Sequence, residues 1–281
     1  IFESAFNLNI KSLNRNRVTI GLLSVLGLLI STFLIALLGS IILPLFGVKI
    51  PFVVLLLFGC IVSATDPVAV LAIFKDFGAP KRLALIFEGE SLFNDASAYA
   101  LFTIILGVMG AGFHGFTTVS QGLFSFLVMI SGGALVGLLL GLAFSKLIEF
   151  IKNNEKVEIT LTMIVAHLTF IFTELINQQH IDLLGTDLHF SSIIATVTSS
   201  LVIGNFGRYK ISPQIEEYMD KFWEYFAFVA NSLVFIMMGI LFASLFNDKM
   251  MYLKPMFIML VIVTVVRATT IYPIAFLNNK I

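Results

Sequence analysis

The sequence predicts an all-α membrane protein, a polytopic helical bundle that contains one broken helix. Three observations carry this expectation. Hydrophobic residues make up 58% of the chain and charged residues only 12%, against roughly 25% charged in soluble domains. The apolar residues gather into runs near or above the ~20 residues that a helix needs to cross a bilayer. One run, residues 50–74, contains Thr65-Asp66-Pro67, and proline removes a backbone donor and disrupts the turn before it. In a bilayer the freed carbonyls need partners, so such a break stands only beside protein or a cavity.

Taken in order, the pattern predicts a single transmembrane domain over residues 1–281 with about eight spans: 18–43, 50–74, 82–109, 118–148, 157–176, 188–206, 217–247 and 252–277. The longer spans tilt or include interfacial turns. Residues 1–17 read as the end of an earlier membrane element followed by a basic loop. The chain opens on Ile1 rather than Met and is read as lacking its true N-terminus. Span 118–148 carries Gly133, Gly137 and Gly141 at four-residue spacing. That spacing admits another helix closely, either in plain packing or in a dimer seam. Cys60 lies in an apolar run and reads as a small packing residue. The mean hydropathy is +1.01 and the net charge is zero, so nothing points to nucleic acid. The four histidines (His114, His167, His180, His189) are scattered and make no metal site.

Charge gives the sidedness. Alternate loops place Lys11, Arg15, Arg17, Lys75, Lys81, Arg82, Lys146, Lys152, Lys156, Arg208, Lys210, Lys221 and Lys280 on one side, and Lys49, Lys249 and Lys254 on the other. Basic residues favour the cytoplasmic side. The loops at 75–82, 146–156 and 208–221 are therefore expected to be cytoplasmic. Arg267 is left alone within a span, where an unpaired guanidinium is costly.

The chemistry concentrates in Phe87-Glu88-Gly89-Glu90-Ser91-Leu92-Phe93-Asn94-Asp95. Wound as a helix, Glu90, Ser91, Asn94 and Asp95 fall on one stripe, because residues three and four apart share a face. Charged groups within a membrane face a bundle interior or a water-filled cavity. A carboxylate there holds a monovalent cation or a proton, not both, and that competition is enough for exchange. On this reading Asp95 is the shared site. Asp66 is either a second ligand or a structural acid that holds the break, as broken helices build cation sites in many transporters. Glu88 either lines the site or snorkels. His167 and Glu174, seven apart on one helix face, either line a cavity or make structural hydrogen bonds.

The paired stretches Ser63-Ala64-Thr65-Asp66-Pro67-Val68-Ala69-Val70 and Glu88-Gly89-Glu90-Ser91-Leu92-Phe93-Asn94-Asp95-Ala96 resemble the ion-site motifs of sodium/proton exchangers of the monovalent cation:proton antiporter family. Leu201-Val202-Ile203-Gly204-Asn205-Phe206-Gly207-Arg208 and Phe222-Trp223 with Phe228-Val229-Ala230-Asn231-Ser232-Leu233-Val234-Phe235 resemble it too. Phe93 stands where the family usually has a smaller aliphatic. The resemblance implies an inverted-repeat antiporter fold. It also implies a sodium site at Asp66 and Asp95 with Thr65 and Ser91 as further oxygen donors, a supporting role for Asn94, and an Arg267–Glu90 ion pair. The Asn94-Asp95 form resembles electroneutral exchangers. The family has further helices before the first span and a later broken helix with a Gly-Gly-x-Arg-Gly stretch, absent before Ile281, so the chain reads as truncated at both ends.

The function expected is secondary antiport of sodium against protons, serving pH homeostasis in a plasma membrane, by a homodimer with no cofactor besides the transported ions. Potassium or lithium as the cation stays open. An ion channel is a less favoured alternative, since no filter-like loop is visible. An intramembrane aspartyl protease is another, but the Tyr-Asp and Gly-x-Gly-Asp motifs of such proteases are absent around Asp66 and Asp95.

Overall fold

A computed structural model describes residues 1–78, 80–112, 115–151, 155–179, 182–183, 186–187, 189–210, 213–245 and 253–278; His114, Lys152, His180, Lys249 and Lys280 lie outside them. Helices dominate. In order they are α1 (Phe2–Asn7), α2 (Ile10–Arg15), α3 (Arg17–Gly21), α4 (Leu28–Ile42), α5 (Phe52–Ser63), α6 (Val68–Phe77), α7 (Lys81–Ala111), α8 (Phe116–Phe150), α9 (Glu155–Asn177), α10 (Ser192–Val202), α11 (Pro213–Leu245) and α12 (Leu253–Asn278). A π-helical turn, Leu22–Gly27, joins α3 to α4 into one rod, and a second, Ile203–Gly207, extends α10. Asp182–Leu183 and Thr186–Asp187 pair as two antiparallel two-residue strands between α9 and α10.

Six helices among the described residues are long and apolar enough to cross a membrane: Arg17–Phe46, Lys81–Gly110, Thr117–Phe150, Lys156–Asn177, Glu216–Ser244 and Leu253–Phe276. Of the other two predicted stretches, one is the expected broken helix and the other is shorter than predicted. Residues 50–74 form α5 and α6, of 12 and 10 residues, with an unwound link at 64–67. Residues 188–206 give the 11-residue α10 and its π turn. Its hydrophobicity serves burial within the bundle rather than lipid contact, because Ile194, Ala195, Val197, Leu201 and Val202 are all buried.

The N-terminal residues also depart from expectation. A basic loop was expected after the first few residues, but Asn9 accepts from the backbone N–H groups of Lys11 and Ser12 and starts α2, as a helix N-cap does. Before it, α1 buries Phe2, Ala5 and Phe6. Those rings join Ile148, Leu161, Val165, Ile203, Met219 and Trp223 in one apolar cluster.

Close helix approach explains the glycine spacing. A Cβ on Gly137 would lie 2.2 Å from the Ala195 carbonyl oxygen, and one on Gly133 would lie 2.5 Å from that of Ser191. The four-residue repeat is thus a seam within the chain, between α8 and α10. Gly59 does the same for α5 on α4, where a Cβ would meet the Thr32 carbonyl oxygen at 2.7 Å. A second cluster, with Ile35, Leu43, Leu55, Met259, Ile262 and Val266, packs α4 and α5 on α12. Facing outward, α8, α11 and α12 expose large apolar side chains such as Leu139, Phe235 and Leu260, the surface a helix presents to lipid.

Candidate ion site

The break is the anchor. α5 ends at Ser63, Ala64 turns to extended backbone at φ −72° and ψ 115°, and α6 restarts after Pro67. A helix C-terminus leaves carbonyls without partners and carries partial negative charge. Two side chains from distant helices meet this one. The Ser63 carbonyl accepts from Arg267 Nη1 at 3.0 Å and from Asn94 Nδ2 at 3.3 Å. Arg267 Nη2 donates to the Thr65 hydroxyl and lies 4.0 Å from Glu90 Oε1. Asn94 Nδ2 also donates to Glu90 Oε1 at 3.0 Å. Five residues from three helices and the link thus form one buried polar network.

The stripe on α7 divides here. Glu90 and Asn94 turn toward Arg267 and the end of α5. Ser91 and Asp95 open instead on a cavity of about 500 Å³ that Glu88 and Asp66 of the break also line. Asp66 is exposed, while Ser91 and Asp95 are partly buried. Asp66 sits two residues before α6, where a carboxylate interacts favourably with the positive end of a helix. Carboxylate, hydroxyl and carbonyl oxygens are the donors that hard cations take. Among the described residues the cavity is lined by four carboxylates, Glu3 from α1, Asp66 from the break, and Glu88 and Asp95 from α7; Thr65 is not among its lining residues, and its hydroxyl accepts from Arg267.

The sequence profile of the family described as "Sodium/hydrogen exchanger, transmembrane" matches residues 1–280. The chain belongs to the sodium/hydrogen exchanger family. It is 37% identical over 242 residues to the Na(+)/H(+) antiporter NhaP of Pseudomonas aeruginosa, covering 85% of this chain and 53% of that protein. It is 32% identical over 284 residues to the Na(+)/H(+) antiporter ApNhaP of Aphanothece halophytica, covering 100% of this chain and 50% of that protein. The chain spans about half the length of these curated relatives. In fold it is similar to the sodium proton antiporter MjNhaP1 of Methanocaldococcus jannaschii, with a TM-score of 0.67 at 23% identity over 85% of this chain and 54% of that one. The six apolar helices and the family together make this an integral, multi-pass membrane protein.

Several residues of this exchanger-family chain reach the cavity without having been singled out from the sequence as site residues. Glu3 and Ser4 come from α1, Thr196 from α10, and Trp223 and Asn231 from α11. Glu3 is legible only as an acid in an apolar stub; its place follows from the burial of α1. Trp223 is held there by donating from Nε1 to the Thr162 hydroxyl at 3.1 Å and by Phe2, 4.8 Å away between ring centroids. The Ser63 carbonyl had no signal, because main-chain acceptors are the same at every residue. Of the two residues left open on α9, His167 lines the cavity. Its Nδ1 is 2.9 Å from the Met163 carbonyl; a carbonyl only accepts, so Nδ1 carries the hydrogen. Glu174 lies elsewhere and accepts from Ser192 Oγ at 2.7 Å.

Proposed function

We propose that this chain forms the ion-handling part of a secondary transporter, not an enzyme, that exchanges sodium or another monovalent cation for protons. One observation carries the reading: Asp66, from the break in one span, and Asp95, from the neighbouring helix, open on the same cavity together with Ser91. On this reading sodium takes oxygens from Asp66, Asp95, Ser91 and the Thr65 carbonyl. A proton on Asp95 removes the charge that holds the cation, so loading one ion releases the other. Asn94 is neutral and spends its amide on Ser63 and Glu90, so it does not titrate beside Asp95. One cation then moves for one proton, and transport is electroneutral. The Arg267 network fixes the unwound link so that Asp66 faces the cavity.

The relatives' names, Na(+)/H(+) antiporters, support the choice of ions. A homodimer in the plasma membrane, with the loops at 75–82, 146–156 and 208–221 in the cytoplasm, completes the proposal. The test is Asp95→Asn in proteoliposomes, read as sodium-driven change of a fluorescent pH signal. Exchange is abolished while the protein stays monodisperse and melts as the wild type does. Sodium-driven proton flux that survives the substitution would refute the assignment.

A further inference from the structure

A second chain of cavities begins one helical turn beyond Asp95. The cavity above takes Glu88, Ser91 and Asp95 from α7. Tyr99 and Thr103, the next residues of that stripe, line a separate cavity of about 260 Å³. Four residues rise about 6 Å along a helix. Two other helices change sides at the same level. On α9, Ile171 lines the first cavity and Glu174 the second. On α10, Thr196 lines the first, and Ser192, one turn earlier, holds Glu174 by its hydroxyl. A partition one turn thick, built from α7, α9 and α10, therefore separates the two spaces.

The second space leads outward. It shares Thr103, Met129 and His189 with a cavity of about 330 Å³ that reaches Gly112 at the end of α7. Its wall is fixed by Asn177, whose amide clasps the backbone of Phe190 with hydrogen bonds of 2.9 Å and 2.8 Å. Glu174 is the acid among the described residues that line these two cavities.

We infer that the cavity headed by Glu174 is a second site for the monovalent cation, on the opposite side of the partition from Asp66 and Asp95. It rests on the antiport reading and deepens it. Glu174 Oε1 is held by Ser192, so the carboxylate is positioned rather than free to swing. Tyr99, Thr103 and Gln178, whose side chains carry neutral oxygens, line the same space. One carboxylate with neutral donors makes a weaker site than a cavity lined by four carboxylates. Weakness suits the role, because an ion in transit must bind well enough to arrive and loosely enough to leave.

The experiment is Glu174→Gln in proteoliposomes of known orientation, with the sodium KM measured separately from each side by proton flux at fixed pH. The amide keeps an oxygen for Ser192. We expect the KM to rise about tenfold on the side that the Glu174 cavity faces, a loss of about 1.4 kcal/mol. On the other side it stays within about twofold. An equal rise on both sides, or none on either, overturns the second site while leaving the antiport reading intact. If the glutamine variant does not fold, Glu174→Asp replaces it, with a smaller one-sided rise expected and a symmetrical change overturning the inference. A wild-type protein with no cation-driven proton flux from either side would instead sink the antiport reading, and this site with it.

Discussion

Arg267→Ala removes more than an ion pair. Arg267 and Glu90 are 17% and 12% exposed in their side chains, and their closest atoms are 4.0 Å apart. At that separation and an effective dielectric near 20, the Coulomb attraction is about 4 kcal/mol, and desolvation of both groups offsets much of it. Truncation leaves no such offset. Arg267→Ala strands the Glu90 carboxylate with Asn94 as its remaining hydrogen-bond partner among the described residues and takes a donor from both the Ser63 carbonyl and the Thr65 hydroxyl. Losing one member of a buried pair costs about 3–5 kcal/mol. Glu90→Ala is milder, because Arg267 keeps its two bonds to the break; we expect about 2–3 kcal/mol, the scale of hydrogen bonds to charged groups. The double variant should cost less than the two singles together by about 1–2 kcal/mol, since the carboxylate stranded by the first change is gone. Thermal unfolding in detergent measures all three, with Arg267→Ala lowering the melting temperature by on the order of 10 °C. Strict additivity would refute the coupling, and Glu90→Ala proving the worse single would refute the central place given to the break. If Glu90 ligates the cation directly, Glu90→Ala weakens cation affinity more than stability.

Two further outcomes are expected. Gly137→Ala should destabilise by about 1–3 kcal/mol, because the new methyl meets the Ala195 carbonyl oxygen of α10 at 2.2 Å; Gly239→Ala, with nothing within 4 Å of its Cβ, should be neutral or stabilising by up to ~1 kcal/mol, and equal melting temperatures for the two would contradict the seam. Single cysteines at Lys81, Lys146 and Lys221, all exposed, in a Cys60→Ser background should react with an impermeant thiol reagent only from the cytoplasmic side; labelling of all three from outside would invert the topology.

Much of this protein is local in origin. Runs of apolar residues become long helices wherever the chain has no water to bond its backbone, so α7, α8, α9, α11 and α12 follow from composition and length alone. The unwound link also follows from one residue, since Pro67 cannot donate to the turn before it, and the structure unwinds at 64–67. That Glu90, Ser91, Asn94 and Asp95 share a stripe follows from the helical period. What they do along that stripe does not. Successive residues on a helix are about 100° apart, so 90 and 94 can face one neighbour while 91 and 95 face another. The choice was made by packing: Arg267, 204 positions from Ser63 in the chain, reaches the end of α5 and draws Glu90 and Asn94 to that side. The same holds for α10, whose apolar run is indistinguishable from a lipid-facing span until α8 and α9 enclose it. It holds again for α1, where six residues with no periodic signal bring Glu3 to the cavity once Phe2 and Phe6 are buried beside Trp223. Backbone chemistry and hydrophobic period are properties of neighbouring residues and can be read in order. Which face of a polar stripe meets a cavity and which meets a guanidinium is a property of residues far apart in the chain, and only the packed bundle decides it.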